Sequence, residues 1–346
     1  MKEGGTERKV KAAIVGLGRI GSLLEEDPLR EKPCTHAGAL AANPDCVLVA
    51  GADTDGERRW RFGKRWDCPV YADAETMLKE TSPDILHIAT HPDSHGYYCA
   101  LAAAYHIPVA VCEKPLADTL GDARKIAALH RGGKIKIITN HERRYAADYD
   151  RARTILEEGR LGRVLCVNAR LCMGKNRRLL DVLWHDGTHL ADALMFLSGG
   201  RLRHKKAWGA RLSGRTGTAF LLGSLQGPGA APESPAGSFQ GNIPVLFEVG
   251  AERDHLIFEL EFSCEGGRLR IGNGLFEVWE SGPSPYAEGF RSLIKTEGAF
   301  TGPTGYFANM VKDAVRCVRE SAHEPLSSAA DGLAVIRYLR SIRAWI

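Results

Sequence analysis

The chain has 346 residues, of which 44% are hydrophobic and 25% charged, and its formal net charge at pH 7 is +4. This length allows two domains with cores of their own, and so small and dispersed a charge argues against a nucleic-acid partner. The nine cysteines lack metal-ligand spacing, no apolar stretch is long enough for a membrane span, and the polar N-terminus is unlike a signal peptide. We therefore expect a cytoplasmic protein with neither nucleic-acid nor membrane partners.

Short apolar runs alternate with amphipathic stretches through about the first 140 residues. Helix-like stretches such as 97–105 and 120–130 lie between these runs. Strand–helix alternation predicts a parallel sheet with helices on both faces and ligands at the carboxyl ends of its strands. The predicted strands are residues 12–15, 47–51, 85–89, 108–112 and 135–139.

Beyond residue 140 extended runs dominate, after helix-like stretches at 148–158 and 181–197. Gly-Gly and Gly-Asn-Gly turns join the last runs, which is typical of an antiparallel sheet. Residues 226–242 are rich in Gly, Pro, Ala and Ser and predict a loop, and two helices are predicted near the C-terminus. The predicted strands are residues 207–212, 218–225, 245–249, 256–264, 268–271 and 275–279, and the last helices are 306–320 and 329–344.

A glycine pattern, Gly16-Leu17-Gly18-Arg19-Ile20-Gly21, follows the first predicted strand and precedes a helix-like stretch. In this context glycines permit a tight turn, close approach of a pyrophosphate to the backbone, and close packing of helix on strand. The free amides of a helix N-terminus attract phosphate. The pattern therefore predicts a dinucleotide site, against the alternative of a merely structural turn.

Asp53 ends the second predicted strand, where a carboxylate accepts hydrogen bonds from ribose hydroxyls and repels a 2′-phosphate. It lies later than the usual spacing of about 20 residues, and a loop insertion at residues 25–35 would account for the difference. Asp53 thus favours NAD, while Arg58 and Arg59 keep NADP open. The alternative role for Asp53 is that of a helix cap or turn residue.

Two polar segments follow later strands at the same edge of the predicted sheet. Thr90, His91 and His95 come after residues 85–89, and Asp93 or Ser94 can cap the next helix. Glu113-Lys114-Pro115 follows residues 108–112. There a lysine can hydrogen-bond a substrate hydroxyl and help to move its proton, although a surface salt bridge is the ordinary alternative.

Residues 181–192 hold the densest polar cluster in an otherwise apolar stretch. On an α-helix Asp181, His185 and His189 would share one face, since they are spaced at i, i+4. Burying such a face costs free energy unless its polar groups form hydrogen bonds or ion pairs, or take part in catalysis or binding. We predict a catalytic role; a structural network and a zinc site are the alternatives, and the zinc reading lacks the glutamate of a His-Glu-x-x-His motif.

With these motifs the chain resembles the glucose–fructose oxidoreductase / inositol dehydrogenase / MocA (Gfo/Idh/MocA) family almost from end to end. The resemblance implies an NAD(P)-binding Rossmann domain, residues 1–140, with a doubly wound parallel sheet. It also implies an α/β domain, residues 141–346, with a large mostly antiparallel sheet for substrate binding and assembly into a homo-oligomer, a dimer or tetramer. The motifs that carry it are the glycine pattern, Asp53, Thr90–His95, Glu113-Lys114-Pro115, Asn140–Tyr145, Leu161-Gly162, His189-x-x-Asp192 and the glycine turns near 266–274.

The resemblance implies an enzyme that transfers hydride between nicotinamide and a secondary alcohol or ketone of a sugar, cyclitol or nucleotide-linked sugar. The family lysine corresponds to Lys114 and the family histidine to His189. Many members carry an aspartate four residues before that histidine, where this chain has His185, so His185 or Asp186 is expected to complete the relay. The predicted cofactor contacts are Gly16, Gly18, Arg19, Ile20, Gly21, Asp53, Thr90, His91, His95, Glu113, Lys114 and Pro115.

The departure at His185 leaves an alternative open, because some members are NAD(P)-binding regulatory or scaffold proteins without turnover. The predicted substrate contacts are Arg143, Lys175, His185 and His189. Lys175, Arg177 and Arg178 precede the 181 helix, where they would meet an acidic substrate group or simply form a solvated loop. No resident metal is predicted.

Overall fold

The computed structural model describes residues 8–174, 177–210, 217–227 and 238–343. The chain forms two compact units: Met1–Tyr145 with Thr304–Leu333, and Ala146–Pro303 with Ala334–Ile346. The sequence predicts one boundary after residue 140, whereas each unit consists of two segments. The later segment of the first unit is held by Glu31, which accepts hydrogen bonds from the amides of Thr304 and Gly305 at 2.9 and 2.7 Å.

Fourteen strands and ten α-helices are defined in the described part of the chain. The strands are β1 Val10–Val15, β2 Cys46–Ala52, β3 Val70–Tyr71, β4 Ile85–Ile88, β5 Val109–Cys112, β6 Lys136–Thr139, β7 Val164–Gly174, β8 Arg201–Gly209, β9 Thr218–Gln226, β10 Asn242–Arg253, β11 Ile257–Cys264, β12 Gly267–Gly272, β13 Leu275–Pro283 and β14 Arg291–Gly298. The helices are α1 His36–Ala42, α2 Gly56–Trp66, α3 Ala74–Thr81, α4 His95–Ala104, α5 Leu120–Arg131, α6 Ala147–Glu157, α7 Leu179–Asp181, α8 Gly187–Ser198, α9 Tyr306–Arg319 and α10 Ala329–Arg343. None of these helices combines the length and apolarity needed to cross a bilayer.

The first unit is built on a six-stranded sheet of order β3-β2-β1-β4-β5-β6, and every neighbouring pair is parallel. This is the order of a doubly wound dinucleotide-binding sheet, in which the direction of winding reverses between β1 and β4. The parallel pairing of these strands confirms the predicted parallel sheet. The prediction was possible because strands that are buried on both faces consist of continuous apolar residues. The sequence missed β3, which has only two residues.

The helix predicted after the glycine pattern is interrupted. A turn and a short 3₁₀ helix, Leu23–Glu26, come first, and α1 begins only at His36, capped by the Thr35 hydroxyl. The amides of His36 and Ala37 nevertheless donate to the carbonyls of Ile20 and Gly21, at 3.1 and 3.0 Å. In an α-helix such bonds link residues four apart, whereas these two bonds link residues 16 apart. The segment between Gly21 and His36 is therefore an excursion that inserts 12 residues into one helical path.

The second unit contains an eight-stranded sheet of order β14-β13-β12-β11-β7-β10-β9-β8. Only the β7–β10 pair in this sheet is parallel, which confirms the predicted mostly antiparallel architecture. Helices α6 and α8 pack on one another and on the sheet. The sequence missed the central strand β7 because Asn168 and Arg170 interrupt its apolar pattern, and it missed β14 because that edge strand is largely exposed.

The helix predicted over residues 181–197 is not one regular α-helix. It consists of α7, a π-helical turn at Val182–Asp186, and α8, which ends at Gly199 with a left-handed φ of 63°. In a π turn the hydrogen bonds join residues five apart. The shared face predicted for Asp181, His185 and His189 stays a prediction.

Candidate active site

Four loops of the first unit meet at the carboxyl edge of its sheet. Main-chain bonds continue past the strand ends: Gly16 donates to Ala52 and Ala89 to Val15, both at 2.8 Å, Glu113 to Ile88 at 2.9 Å, and Asn140 to Cys112 at 2.7 Å. Adjacent strands are about 4.8 Å apart. The loops after β1, β4, β5 and β6 therefore lie side by side, and the first two flank the point where the winding reverses.

The three glycines of the pattern differ in what surrounds them. Gly16 has a φ of 90°, and a Cβ on it would lie 2.6 Å from the Ala89 oxygen, while a Cβ on Gly21 would overlap the Gly16 oxygen. Around Gly18 the nearest atom to an added Cβ is a guanidinium nitrogen of Arg58, at 3.6 Å. Two glycines thus satisfy packing within the protein, whereas the third leaves a space open beside the backbone.

Backbone amides line this open space. Among the described residues, the amides of Arg19 and Ile20 donate to no carbonyl or side-chain acceptor. Arg19 is exposed, and Gly18 and Ile20 are half-buried. Successive unpaired amides form a concavity that favours an anion. The residues present therefore fit the pyrophosphate of a dinucleotide.

Asp53 is fixed against the glycine loop. Its carboxylate accepts hydrogen bonds from the amides of Leu17 at 2.8 Å and Asp55 at 2.9 Å. The Arg58 guanidinium lies 3.6 Å from it, and Arg59 bonds the Asp53 and Thr54 carbonyls. The carboxylate is thus held at the end of β2, where a ribose would lie. Its late position in the sequence follows from the 12-residue excursion, without which it would lie about 20 residues after Gly21.

The segment after β4 contains one buried and one exposed histidine. The His95 ring is buried, with Nδ1 3.1 Å from the Pro115 oxygen and Nε2 3.2 Å from the Thr90 oxygen. Both nitrogens therefore face main-chain carbonyls, so His95 ties two loops together, and its contact with the cofactor stays a prediction. Thr90 bonds Ser94 at 2.7 Å, and His91 is exposed.

Glu113 is a buried carboxylate next to the half-buried Lys114. It accepts hydrogen bonds from His36 at 2.9 Å, from the Asn140 amide at 2.6 Å and from the Lys114 backbone at 3.2 Å. Burial raises the pKa of Glu113, but the hydrogen bonds from His36 and Asn140 and the positive charge of Lys114 outweigh it, so the pKa lies below its usual value. Glu113 is thus an anchored anion, while Lys114 and the cis-bonded Pro115 form the adjoining turn. The contact of Glu113 itself with the cofactor stays a prediction.

Two buried histidines predict how the stability of the first unit depends on pH. Burial lowers the pKa of His87 well below the ordinary value of 6.5, and it lowers that of His95 as well. As the pH falls below 6.5 the unfolded chain takes up protons on these rings before the folded unit does. We expect the free energy of unfolding to decrease from about pH 7 to about pH 5, by up to roughly 1.4 kcal/mol per pH unit for each ring.

Urea unfolding at several pH values measures this slope. His87→Asn should reduce it, and His106→Asn, at an exposed position with a left-handed φ of 56° that asparagine tolerates, should leave it unchanged. A stability that is flat across this range, or a slope equal in both variants, would contradict the assignment of buried neutral rings.

The predicted substrate residue Arg143 lies in a 3₁₀ helix, Glu142–Tyr145, after β6. Its guanidinium is 3.3 Å from the Glu142 carboxylate and is half-buried. The neighbouring Arg144 is buried and bonds the Leu326 carbonyl at 3.0 Å. Arg143 is therefore the arginine of this pair that has access to solvent.

The polar cluster of the second unit occupies the π turn and the start of α8. His185 is exposed, while Asp186 and His189 are half-buried. The Asp186 carboxylate accepts a hydrogen bond from Arg177 at 2.9 Å, and the His185 carbonyl accepts one from the Thr188 hydroxyl. Arg177, expected to meet a substrate anion, thus pairs with an acid of its own chain. Lys175 lies outside the described residues.

Metal-ligating residue types also come together away from this cluster. Within the described ranges, Asp313, Cys317 and His323 are the group of three whose ligand atoms lie within 4.8 Å of one another. Asp313 is already bonded to His323 at 2.6 Å, and to Tyr145 and the Leu326 amide at 3.0 Å. These contacts explain the group as a hydrogen-bonded link between α9 and the loop that follows.

Known proteins are similar to this chain mainly over the first unit. Residues 10–141 match the model of the GFO_IDH_MocA oxidoreductase family with an NAD-binding Rossmann fold. Inositol 2-dehydrogenase of Salmonella typhimurium is 29% identical over 162 residues, 46% of this chain and 45% of that protein. D-glucoside 3-dehydrogenase of Escherichia coli is 25% identical over 218 residues, 58% of this chain and 57% of that protein. The matched part of the chain thus spans about half the length of these curated relatives.

Solved structures resemble the fold over nearly the whole chain. A dehydrogenase from Chromobacterium violaceum has a TM-score of 0.75 at 16% identity, covering 98% of this chain and 95% of that one. The WlbA dehydrogenase from Bordetella pertussis, solved with NADH and UDP-GlcNAcA, has a TM-score of 0.70 at 19% identity, with 99% and 97% covered. At such identities the likeness shows the fold alone. Through residues 10–141, the first unit is similar to the NAD-binding Rossmann domain of the Gfo/Idh/MocA oxidoreductase family.

Proposed function

We propose that this protein is an NAD-dependent oxidoreductase that acts on a secondary alcohol or ketone of a sugar, cyclitol or nucleotide-linked sugar. The observation that carries the proposal is the placement of Lys114 at the same sheet edge as the glycine loop. The main-chain bonds of Ala89 to Val15 and of Glu113 to Ile88 hold the two loops in register, with one strand between them. A dinucleotide cradle and a cationic side chain are thereby brought to one edge.

The cofactor would be held by residues that the chain already fixes. The amides of Arg19 and Ile20 would take the pyrophosphate over Gly18, and Asp53 would take the ribose hydroxyls. A nicotinamide bound at this edge supplies the acceptor or donor of hydride. Asp53 repels a 2′-phosphate and so favours NAD; the Arg58 guanidinium, 3.6 Å away, offsets part of that repulsion and leaves a weaker affinity for NADP.

Residues of the chain would orient the reacting hydroxyl of the substrate and accept its proton. Lys114 would donate a hydrogen bond to the reacting oxygen and orient it, and His189 would take the proton as general base. His185 or Asp186 would support His189. The Asp186 carboxylate accepts a hydrogen bond from Arg177, and it would help to stabilise a cation that forms nearby.

The proposed substrate class rests on the relatives. Proteins similar to this chain include dehydrogenases of inositol, of D-glucosides and of D-apiose. These substrates are polyols with secondary hydroxyls, which general acid–base residues can deprotonate as hydride leaves. Arg143 would contribute a positive charge for an acidic substituent on such a substrate.

The decisive experiment is an activity assay with a panel of substrates. Purified protein is mixed with NAD or NADP and with cyclitols, aldoses, uronic acids and nucleotide-linked sugars, and the absorbance of the reduced nicotinamide is followed. Reduction that requires both NAD and a polyol supports the proposal. Tight NAD binding without reduction across the panel would instead favour the alternative, a cofactor-binding regulatory or scaffold protein of the same fold.

The proposal includes a homo-oligomer formed through the sheet of the second unit. Alternate residues on this sheet carry a ladder of ion pairs instead of an apolar patch. Glu259 pairs with Arg170 at 3.5 Å and with Arg270 at 3.0 Å, and Arg270 pairs with Glu277 at 3.1 Å. A second copy that covers this face would meet charged side chains that are already paired within the chain.

A further inference from the structure

A continuous chain of buried polar side chains lies behind the Lys114 turn. His87 in β4 meets His36, the first residue of α1, with the two Nδ1 atoms 2.8 Å apart. His36 Nε2 lies 2.9 Å from Glu113 Oε1, which also accepts a bond from Asn140 at 2.6 Å. All four side chains are buried, and both histidines are fully so. Such a run of polar groups is costly inside a core unless each bond is made.

The contacts fix the direction in which the hydrogen bonds run. A carboxylate only accepts, so His36 Nε2 carries the proton that faces Glu113. Two ring lone pairs do not approach to 2.8 Å, so a proton also lies between the Nδ1 atoms. His87 Nε2 is buried and has no partner among the described residues. With its proton on Nδ1, His87 leaves only a lone pair unsatisfied and avoids burying an unpaired N–H group.

The last link of the chain reaches the proposed catalytic lysine. Glu113 Oε2 accepts a hydrogen bond from the Lys114 backbone amide at 3.2 Å. We propose that His87 is a positioning residue for Lys114, acting through His36 to keep Glu113 ionised and fixed beneath the Lys114 turn. This inference rests on the proposed function for the role of Lys114. The hydrogen-bond chain itself is independent of turnover.

The groups that face Glu113 from each neighbouring element predict what the loss of His87 does. His36 faces it from α1, Asn140 from the loop after β6, His95 from the start of α4, and Lys114 from its own turn. Without His87, no group donates a hydrogen bond to His36 Nδ1. The His36 ring then lowers its free energy by turning away from Glu113 to find another donor. Protonation of Glu113 then becomes easier, so activity should fall at a higher pH than in the wild type.

Histidine tautomers test the chain without any need for activity. Long-range ¹H–¹⁵N spectra of protein labelled with ¹⁵N-histidine distinguish rings protonated on Nδ1 from those protonated on Nε2, and a His87→Asn sample assigns the His87 signals. We expect His87 to be a neutral Nδ1–H ring and His36 to be protonated on Nε2. An Nε2–H tautomer for His87 would overturn the proposal.

Two variants test the positioning role. His87→Val removes the donor and should lower kcat by about 10-fold to 100-fold, with the acid limb of the kcat/KM profile moved to higher pH and the NAD affinity retained. His87→Asn places an amide N–H near the position of the His87 Nδ1 atom. This variant should restore most of the wild-type kcat and of the wild-type pH profile. His130→Gln, which removes a histidine that bonds the Ile137 amide elsewhere in the same unit, should change neither.

The outcomes separate this inference from the proposed function. If His87→Val keeps the wild-type kcat and pH profile, or if His87→Asn is no better than His87→Val, the positioning role is wrong even where turnover is established. If the wild type shows no turnover on any substrate, the proposed function fails, and the tautomer spectra alone decide whether the His87–His36–Glu113 chain exists. If His87→Val does not fold, the wild-type spectra still provide the test.

Discussion

In Lys114→Met, kcat is expected to fall by about 10²-fold to 10⁴-fold, the usual contribution of one positioned acid–base group. Methionine retains the length and apolar stem of lysine but cannot donate a hydrogen bond to the reacting oxygen. The Glu113 anchor depends on the Lys114 backbone amide, so the turn should keep its shape. NAD affinity, measured by nicotinamide fluorescence or calorimetry, should therefore stay nearly unchanged while turnover is lost.

Lys125→Met is the matched control for the loss of one positive charge. Its side chain is 80% exposed and pairs with Asp122 on α5, so removing it should leave kcat and NAD affinity unaltered. His189→Ala in the second unit should lower turnover to a similar extent as Lys114→Met, because the proposal gives His189 the hydroxyl proton. Wild-type turnover in both Lys114→Met and His189→Ala would rule out the catalytic assignment.

The predictions from sequence succeeded where structure depends on local patterns. Apolar runs of four or five residues with glycine or polar residues after them located β1, β2, β4, β5 and β6, because strands buried on both faces require such runs. The loops at the carboxyl edge were placed correctly for the same reason, since each loop follows its own strand directly.

The spacing to Asp53 shows how an interrupted element hides in a sequence. The sequence predicts a loop insertion at residues 25–35, and this insertion lies inside one helical path, because the amides of His36 and Ala37 donate to the carbonyls of Ile20 and Gly21 across it. The main-chain hydrogen bonds of a helix can join two segments that are separated in the chain by a loop. Sequence spacing alone therefore suggests the insertion but does not reveal that the helix resumes.

The errors arose where contacts join distant residues or where a helix departs from regular geometry. His36 and His87 are 51 residues apart and His36 and Glu113 are 77 apart, so no local pattern signals their pairing. The regular helix predicted over residues 181–197 is wrong because a π turn, Val182–Asp186, precedes α8. Nothing in the apolar spacing distinguishes such a turn from one more turn of α-helix.

The glycine loop gives the second large effect, and the contrast between two of its residues provides the test. In Gly18→Ala the added Cβ meets no protein atom closer than the Arg58 guanidinium at 3.6 Å, so folding should be unaffected. The same methyl group occupies the space proposed for the pyrophosphate and prevents its approach to the Arg19 and Ile20 amides. NAD affinity should fall at least about tenfold, equivalent to roughly 1.4 kcal/mol.

Gly21→Ala should show the opposite pattern. Its Cβ would overlap the Gly16 carbonyl oxygen, so the turn must shift, and overpacking of this kind costs about 1–3 kcal/mol or more. Thermal unfolding should then occur at a lower temperature, by roughly 2–4 °C for each kcal/mol in a domain of this size. Calorimetric unfolding and NAD titration, performed on both variants, separate stability from binding. A Gly18→Ala variant that binds NAD like the wild type would mean that the open space beside Gly18 does not hold the pyrophosphate, and the cofactor site would have to be sought elsewhere along the carboxyl edge.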